Sequence, residues 1–343
     1  PGSLPSAMWS AAGVALRRSA LACSAIPLGA AAASSYEGRS LRGAAPRWSA
    51  ALRCEDGAWP TAPLSVGCFN VLCPTYAVKW GEREGKGPDG ASNWHARWPA
   101  MQDIIRRAQW DVVTLQEVEK TDVEGVVAGL GDEYEAHYFK HTQRPPDGVL
   151  IAVKKCAVEG RAEAAVLQWK GAVAFGRVDF VHKASGRPVR VVTAHMRGGN
   201  KQQLSALEDF ADARGPGQAA PDVVVVTGDF NEDFADEDGR FCCPFQDTAE
   251  GAWRTLERED GLPAVSRPEH KQGPEQTSGK GKIDWVFVRG RRSQQCGDLE
   301  LFRDAASRVA IIESHAPCVA TQEWPSDHGC EGLSVRVPKV LKP

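Results

Sequence analysis

The chain has ten cysteines but no C-x-x-C pair, and Cys242 and Cys243 are adjacent, so local spacing assembles neither a zinc ribbon nor a thioredoxin-type motif. Thiols scattered in apolar surroundings along 343 residues fit a reducing compartment better than a disulfide framework. No apolar run reaches the roughly 18–20 residues that span a bilayer. Neither sign of charge is in excess. A formal net charge of −3 excludes a strongly basic nucleic-acid coat and an acidic disordered chain, so a polyanion would have to be held by a few placed cations or a metal. There is no internal repeat, no L-x-x-L-x-L-x-x-N period, no H-E-x-x-H and no G-x-S-x-G. NEDFADEDG, ending at Gly239, fails as a calcium loop because Phe234 falls on its first ligand position, and TSGKGK lacks the upstream glycine and following Ser/Thr of a P-loop.

What is present begins with two regions of different composition. From Pro1 to about Ala51 the chain is rich in Ala, Ser and Arg, and Glu37 is its only acid, as in an organellar transit peptide. Counted from Met8, Arg17 and Arg18 followed by SALACSAIPLGAAAA also fit a secretory signal, and a tail without targeting value is the third alternative. Arginines that continue past the apolar stretch place an organelle, mitochondrion or chloroplast, above secretion; without targeting the expectation is cytoplasmic. Residues 1–60 are set apart on this ground, and residues 61–340 are expected to form the folded domain.

In that domain short β-branched runs recur: Leu64–Leu72, Val112–Val118, Val149–Val153, Val173–Val181, Val189–His195, Val223–Asp229, Ile283–Val288 and Leu333–Val337. Met101, Ile104, Ile105 and Ala108 predict a helix, with Pro99 in a first turn, and Leu204, Leu207 and Ala211 predict another. Strands outnumber helices and the connections are irregular. This predicts an α/β sandwich in which sheets pack on each other and helices cover the outside. Gly81–Asn93, Glu232–Asp238 and Arg267–Lys282 read as surface loops.

The strand ends share a design. CFNVLCPTY presents Asn70, VVTLQEVE presents Glu117, VVTAHMRGG presents His195, and VVVTGDFN presents Asp229 and Asn231. KIDWVFV carries Asp284, and WPSDHGCEGL carries Asp327 and His328. Any one of these alone is an ordinary turn, cap or core residue. Together they form a constellation. Carboxylates and amide oxygens are hard ligands suited to Mg²⁺ or Mn²⁺, and histidines beside them can donate to phosphoryl oxygens or exchange protons near neutral pH. Such a set can hydrolyse a phosphate ester without a covalent intermediate.

These motifs, in this order from about Leu64 to Pro338, resemble the endonuclease/exonuclease/phosphatase superfamily. NVLCPTY, the W..RW..M..II run with D.V.LQEVE, and PDGVLIAVKK are most similar to the branch holding the carbon-catabolite-repression deadenylases, nocturnin and the Angel proteins. The resemblance implies an α/β, four-layer α–β–β–α sandwich, two packed mixed sheets flanked by helices, with a site at one end of the paired sheets. It implies Glu117 as principal metal ligand with Asn70 and Asp327, and Asp229 orienting or deprotonating the attacking water. Asn231 would donate to the scissile phosphate, and His328 would stabilise its developing charge with Asp284 fixing the ring. His195 would contact the phosphate from the opposite side. Asp147 in PPDGVL matches a family motif without an assigned chemistry.

Substrate identity is less marked. Deadenylases tend to carry a Trp–Asp–Pro-like turn and a phenylalanine where this chain reads HMRGGNKQQ and EQTSGKGKIDW, and their leucine-rich docking module has no counterpart here. Arg197, Lys201, Lys280 and Lys282 are candidates to contact phosphates instead, and strand alternation leaves Trp285 facing either core or pocket. The expectation is a monomeric Mg²⁺-dependent (or Mn²⁺-dependent) hydrolase of RNA 3′ ends, an exoribonuclease or deadenylase-like nuclease. The alternatives are a phosphatase of a small nucleotide such as NADPH and an inactive binding protein on the same fold.

Overall fold

The structure, a computed structural model, describes residues 60–83, 94–142, 146–214, 220–234, 242–247, 251–255, 283–290, 300–302 and 330–340. The N-terminal targeting-type segment and the predicted Arg267–Lys282 loop lie outside these residues, as do Asp327, His328, Lys280 and Lys282. The described elements run β1 (Thr61–Asn70), α1 (Pro74–Arg83), α2 (Trp94–Ala108), β2 (Val112–Glu119), α3 (Val123–Leu130), β3 (Tyr134–Lys140), β4 (Asp147–Lys154), β5 (Val158–Trp169) and β6 (Val173–His182). They continue with β7 (Arg187–His195), α4 (Lys201–Asp212), β8 (Val223–Asp229), β9 (Trp253–Arg254), β10 (Asp284–Gly290), β11 (Glu300–Phe302) and β12 (Cys330–Pro338).

Two six-stranded sheets result, ordered β11-β12-β1-β2-β4-β3 and β5-β6-β7-β8-β10-β9. Both are mixed: β1–β2 and β7–β8 pair in parallel, the other neighbours antiparallel. Alternate residues of each strand meet between the sheets, among them Leu64, Val66, Val149, Ile151, Val189, Val191, Val223, Val225, Val286, Val288, Leu333 and Val335. The outer face of the first sheet packs Val113, Leu115 and Leu150 against Trp98, Met101 and Ile105 of α2 and Val126 and Leu130 of α3. The outer face of the second packs Val192 and Val224 against Leu207 and Ala211 of α4. The four layers expected from the sequence are therefore present.

Elements without a sequence signal have physical reasons. β3 and β5 are sheet edges with mixed, partly exposed faces, and β5 carries Gly and several Ala, weak strand formers. α3 contains two glycines and three valines and is helical because Val126 and Leu130 are buried. β1 stops at Asn70, short of the Leu72 expected from the pattern, and Gly81 to Arg83 belong to α1 rather than a loop.

One packing contact pins the β1–β12 pair. Gly67 and Gly332 face each other in register, and an ideal Cβ would lie 2.1 Å from Trp110 Cε3 at Gly67 and 2.7 Å from Trp110 Cζ2 at Gly332. The fully buried indole therefore lies flat on two glycines. Gly67→Ala is expected to lower stability by about 1–3 kcal/mol through overpacking. Urea unfolding measures this, and a wild-type midpoint would show that the indole can move aside.

Candidate active site

The inter-sheet face changes character toward one end. Beyond the valines comes a buried polar layer: Gln116 Nε2 donates to Thr193 Oγ1 (3.0 Å), Thr227 Oγ1 donates to Thr114 Oγ1 (2.9 Å), and Cys68 Sγ lies 3.5 Å from Gln116 Oε1. These bonds join the sheets where apolar contact ends. One step further along the same parity stand Asn70 after Leu64, Val66 and Cys68; Asp147 before Val149; His195 after Val189, Val191 and Thr193; and Asp229 after Val223, Val225 and Thr227. Asp284 precedes Val286 and Val288 in the same way. Period-two alternation thus delivers five polar residues to one place.

Glu117 is the exception. Val113 and Leu115 of β2 face the helices, so strict alternation would send Glu117 there too. A β-bulge between Leu115 and Val118 inserts a residue, Glu117 takes φ +61°, and Val118 occupies the helix-facing slot. A positive φ is uncommon for a non-glycine residue and costs on the order of 1–3 kcal/mol. In return, the carboxylate swings to the strand end, as bulges near active sites commonly re-aim side chains.

There Asn70 Nδ2 donates to both Glu117 Oε1 and Asp229 Oδ2 at 2.9 Å, and its Oδ1 accepts from Leu72 N (2.9 Å). In this arrangement Asn70 bridges two acids as a donor. Cys73 N donates to Glu117 Oε2 (2.9 Å). Asn231, at φ +52°, donates its backbone N–H to Asp229 Oδ1 (2.8 Å), and its Nδ2 donates to Met196 O (3.1 Å) and lies 3.3 Å from His195 Nε2. His195 Nε2 is 3.7 Å from Glu117 Oε1 and 3.6 Å from Asp229 Oδ2, and its Nδ1 is 3.9 Å from Asp147 Oδ2. Burial opposes a charge on His195, but Asp147, Asp229 and Glu117 outweigh it and raise its pKa to about 9.

Glu117, Asp229 and His195 each offer one ligand atom within 4.8 Å of the others, a donor set that fits a divalent cation once the cation displaces the extra proton of His195. His141, Asp147 and His195 form a second such group. That group fits a cation poorly. His141 Nδ1 accepts from Ala174 N (3.0 Å), so the neutral ring carries its proton on Nε2, which then has no lone pair for a metal. Burial lowers the His141 pKa to about 4, which keeps it neutral.

The family model of the Endonuclease/Exonuclease/phosphatase family matches residues 67–328. The chain belongs to this family. It is similar to CCR4-NOT transcription complex subunit 6-like of Danio rerio (40% identity over 68 residues, 20% of this chain and 12% of the relative) and subunit 6-like-B of Xenopus laevis (38% over 68 residues, 20% and 12%). The match thus spans 12% of the length of these curated relatives. Among solved structures, ANGEL2, a 2′,3′-cyclic phosphatase, in complex with adenosine-2′,3′-vanadate superposes with TM-score 0.53 at 13% identity, covering 82% of this chain and 98% of ANGEL2. A family protein from Bacteroides thetaiotaomicron gives 0.51 at 14%, covering 81% and 99%. At these identities the likeness is one of fold.

In this member of the endonuclease/exonuclease/phosphatase family, Asn70, Glu117, His195, Asp229 and Asn231 come together as the sequence pattern anticipates. Asp284 is fully buried and pairs in register with Asp229. Its expected partner His328 lies outside the described residues, as does Asp327. Arg197 is exposed, two residues beyond His195. Trp285 turns into the outer core, stacked on Phe287 with its Nε1 donating to Glu232 O (3.1 Å).

Several contributors had no chemistry assigned from the sequence. Asp147, 1% exposed, faces His195 and accepts from Tyr76 Oη (3.0 Å). Burial raises the Asp147 pKa, but the contacts with His195, His141 and Tyr76 prevail and lower it. Arg97 of α2 donates to Val71 O (2.9 Å) and Leu72 O (2.8 Å), clamping the turn in which Leu72 sits at φ +54° and Cys73 N reaches Glu117. The WHARW stretch hints at Arg97 only through its charge between two buried tryptophans.

Two outcomes follow for the metal-free protein. Histidine ¹H–¹⁵N spectra in chelator should show one ring, His195, titrating near pH 9 and another, His141, near pH 4. His195 has a folded pKa above its unfolded value, so its stabilisation is complete below about 6.5 and is lost as pH rises toward 9; for His141 the sign reverses, with loss as pH falls from about 6.5 toward 4. Both rings titrating near 6.5 would contradict this electrostatic picture. Separately, Arg97→Met should destabilise by about 1–3 kcal/mol for each carbonyl left without a donor, read by thermal or urea melts; an unchanged melt would mean that the turn holds without its clamp.

Proposed function

We propose that the protein is a metal-dependent phosphoesterase acting on RNA 3′ ends, a 3′ exoribonuclease of the deadenylase-like kind. The observation that carries the reading is the convergence of Glu117, Asn70, Asp229, Asn231 and His195 where the inter-sheet core ends, with the β2 bulge turning Glu117 inward. Family membership and the local similarity to CCR4-NOT transcription complex subunits support it, and the resemblance of NVLCPTY and PDGVLIAVKK to the deadenylase branch favours RNA over a metabolite.

Glu117 would hold Mg²⁺ or Mn²⁺, with Asn70 and Asp327 beside it as the sequence resemblance implies and Asp229 and His195 within reach. The bound cation would supply Lewis-acid stabilisation of a phosphoryl oxygen. The remaining chemistry belongs to the chain. Asp229, fixed by Asn70 Nδ2 and the Asn231 backbone, presents a carboxylate to orient or deprotonate the attacking water. Asn231 keeps its amide nitrogen on the site side because Met196 O accepts from it, so it can donate to the phosphate. His195, beside these acids, would donate a ring N–H to a phosphoryl oxygen, and His328, its ring fixed by Asp284 as the sequence resemblance implies, would serve the opposite side. Such preorganised donors commonly supply the largest catalytic contribution.

Glu117→Gln is expected to reduce Mg²⁺-dependent turnover by roughly 100-fold or more while the circular dichroism spectrum is retained. Oligo(A) RNA, NADPH and a 2′,3′-cyclic phosphate-ended RNA are compared with Mg²⁺, Mn²⁺ and chelator. Metal-dependent 3′ shortening of the RNA is the expected result. Phosphate release from NADPH alone would replace this reading with a nucleotide phosphatase, and opening of the cyclic phosphate alone with an end-processing enzyme.

A further inference from the structure

The rim on the His195 side of the site has a charge unlike the rest of the chain. It is built from three segments tied together. Lys140 ends β3 and is followed by His141 and Thr142, Gln168–Val173 span the end of β5, its turn and the start of β6, and Met196–Gln203 lead from β7 into α4. Gln168 Nε2 donates to Lys140 O (3.1 Å), Thr142 N to Ala172 O (2.9 Å), and Lys170 Nζ to Gln202 Oε1 (2.9 Å), so the segments form one surface. It begins at the site: the His141 and His195 rings are 6.4 Å apart, and Arg197 follows His195 by two residues.

These segments hold four cations, Lys140, Lys170, Arg197 and Lys201, and no acid, in a chain whose net charge is −3. All four are exposed, and among the described residues no acid pairs with any of them. Among the described residues two acids touch the rim: Asp147, which lies 3.9 Å from His141 at the site end, and Glu232, whose Oε2 accepts from Gly199 N (2.8 Å) and is thereby turned to the backbone. Lys170 is held in place. Its ammonium lies 4.6 Å from the Trp169 ring centroid while bonded to Gln202, so a phosphate meets a positioned charge rather than a swinging one. Nothing in the segments offers a free aromatic face, since Trp169 packs on the core beneath Lys170.

We infer that this rim is a track for the backbone phosphates of a single-stranded polynucleotide extending beyond the reacting nucleotide. The inference rests on the phosphoesterase reading and deepens it: the substrate is a strand several phosphates long, gripped by charge without base readout. A dinucleotide such as NADPH carries fewer phosphates than the rim has cations.

The test uses the full chain and its Lys170→Gln/Lys201→Gln double variant. Binding of a labelled single-stranded RNA of roughly 16 nucleotides is followed by anisotropy in chelator over a range of salt. Turnover of bis(4-nitrophenyl) phosphate with Mg²⁺ is measured alongside. The wild type should bind with a steep salt dependence, and the variant should bind more weakly with a log–log slope shallower by about 1.4, the loss of two phosphate contacts at about 0.7 each. Turnover of the small ester should be equal in both. An unchanged slope in the variant, or no RNA binding by the wild type at low salt, overturns the track. Failure of the wild type to hydrolyse the small ester counts instead against the phosphoesterase reading. A second variant, Trp169→Leu, should release Lys170 and weaken RNA binding while leaving Gln202 and Lys201 in place; affinity equal to wild type would likewise count against the positioned charge.

Discussion

Two sheets packed face to face must spend one side of every strand on a shared core, and the site depends on where that core is made to stop. Along β1, β4, β7, β8 and β10 the same parity that supplies Val, Ile and Leu supplies, at one end, Asn70, Asp147, His195, Asp229 and Asp284. Carboxylates in such a place are costly unless hydrogen bonds or opposite charges offset their burial. Asn70 meets Glu117 and Asp229 together, Tyr76 meets Asp147, and His195 stands among three acids. The threonine and glutamine layer beneath holds the two sheets in register just where apolar packing gives out. Glu117 joins only because β2 breaks its alternation, and the strain of that break is confined to one residue.

Much of this was legible before any coordinates. Valine-rich runs such as Val223–Asp229 are read correctly because a strand buried on both faces leaves a dense signal, and the polar residues at their ends follow from it. β3 and β5 were illegible for the opposite reason: an edge strand shares its burial with solvent and loses its period. The bulge at Gln116 and Glu117 could not be seen either, since QE after VVTL is equally compatible with regular alternation. Asp147 was visible as a motif without chemistry, and its meaning came from His141 and Tyr76, which arrive from distant elements. Arg97 was hidden because its role is exerted on backbone carbonyls, which no side-chain pattern encodes.

The electrostatic design separates two tasks. Acids converge at the centre, where they can hold a cation and a water, and cations gather on one flank, where they can meet the charge of a substrate. A near-neutral chain can therefore attract a polyanion locally without a basic surface overall. In the metal-free protein the same acids lift His195 while burial lowers His141, so two rings facing one carboxylate differ in charge at neutral pH.

If the bulge-directed Glu117 makes this strand end a divalent-cation site, a paramagnetic cation will settle beside His195. Paramagnetic broadening tests it directly: Mn²⁺ is titrated below stoichiometry into ¹⁵N-histidine-labelled protein. The account predicts selective loss of the His195 and His141 ring signals while His182, buried at the opposite end of β6 and β7, stays sharp, and loss of that selectivity in Glu117→Gln. Broadening that ignores His195, or that survives Glu117→Gln unchanged, would contradict it.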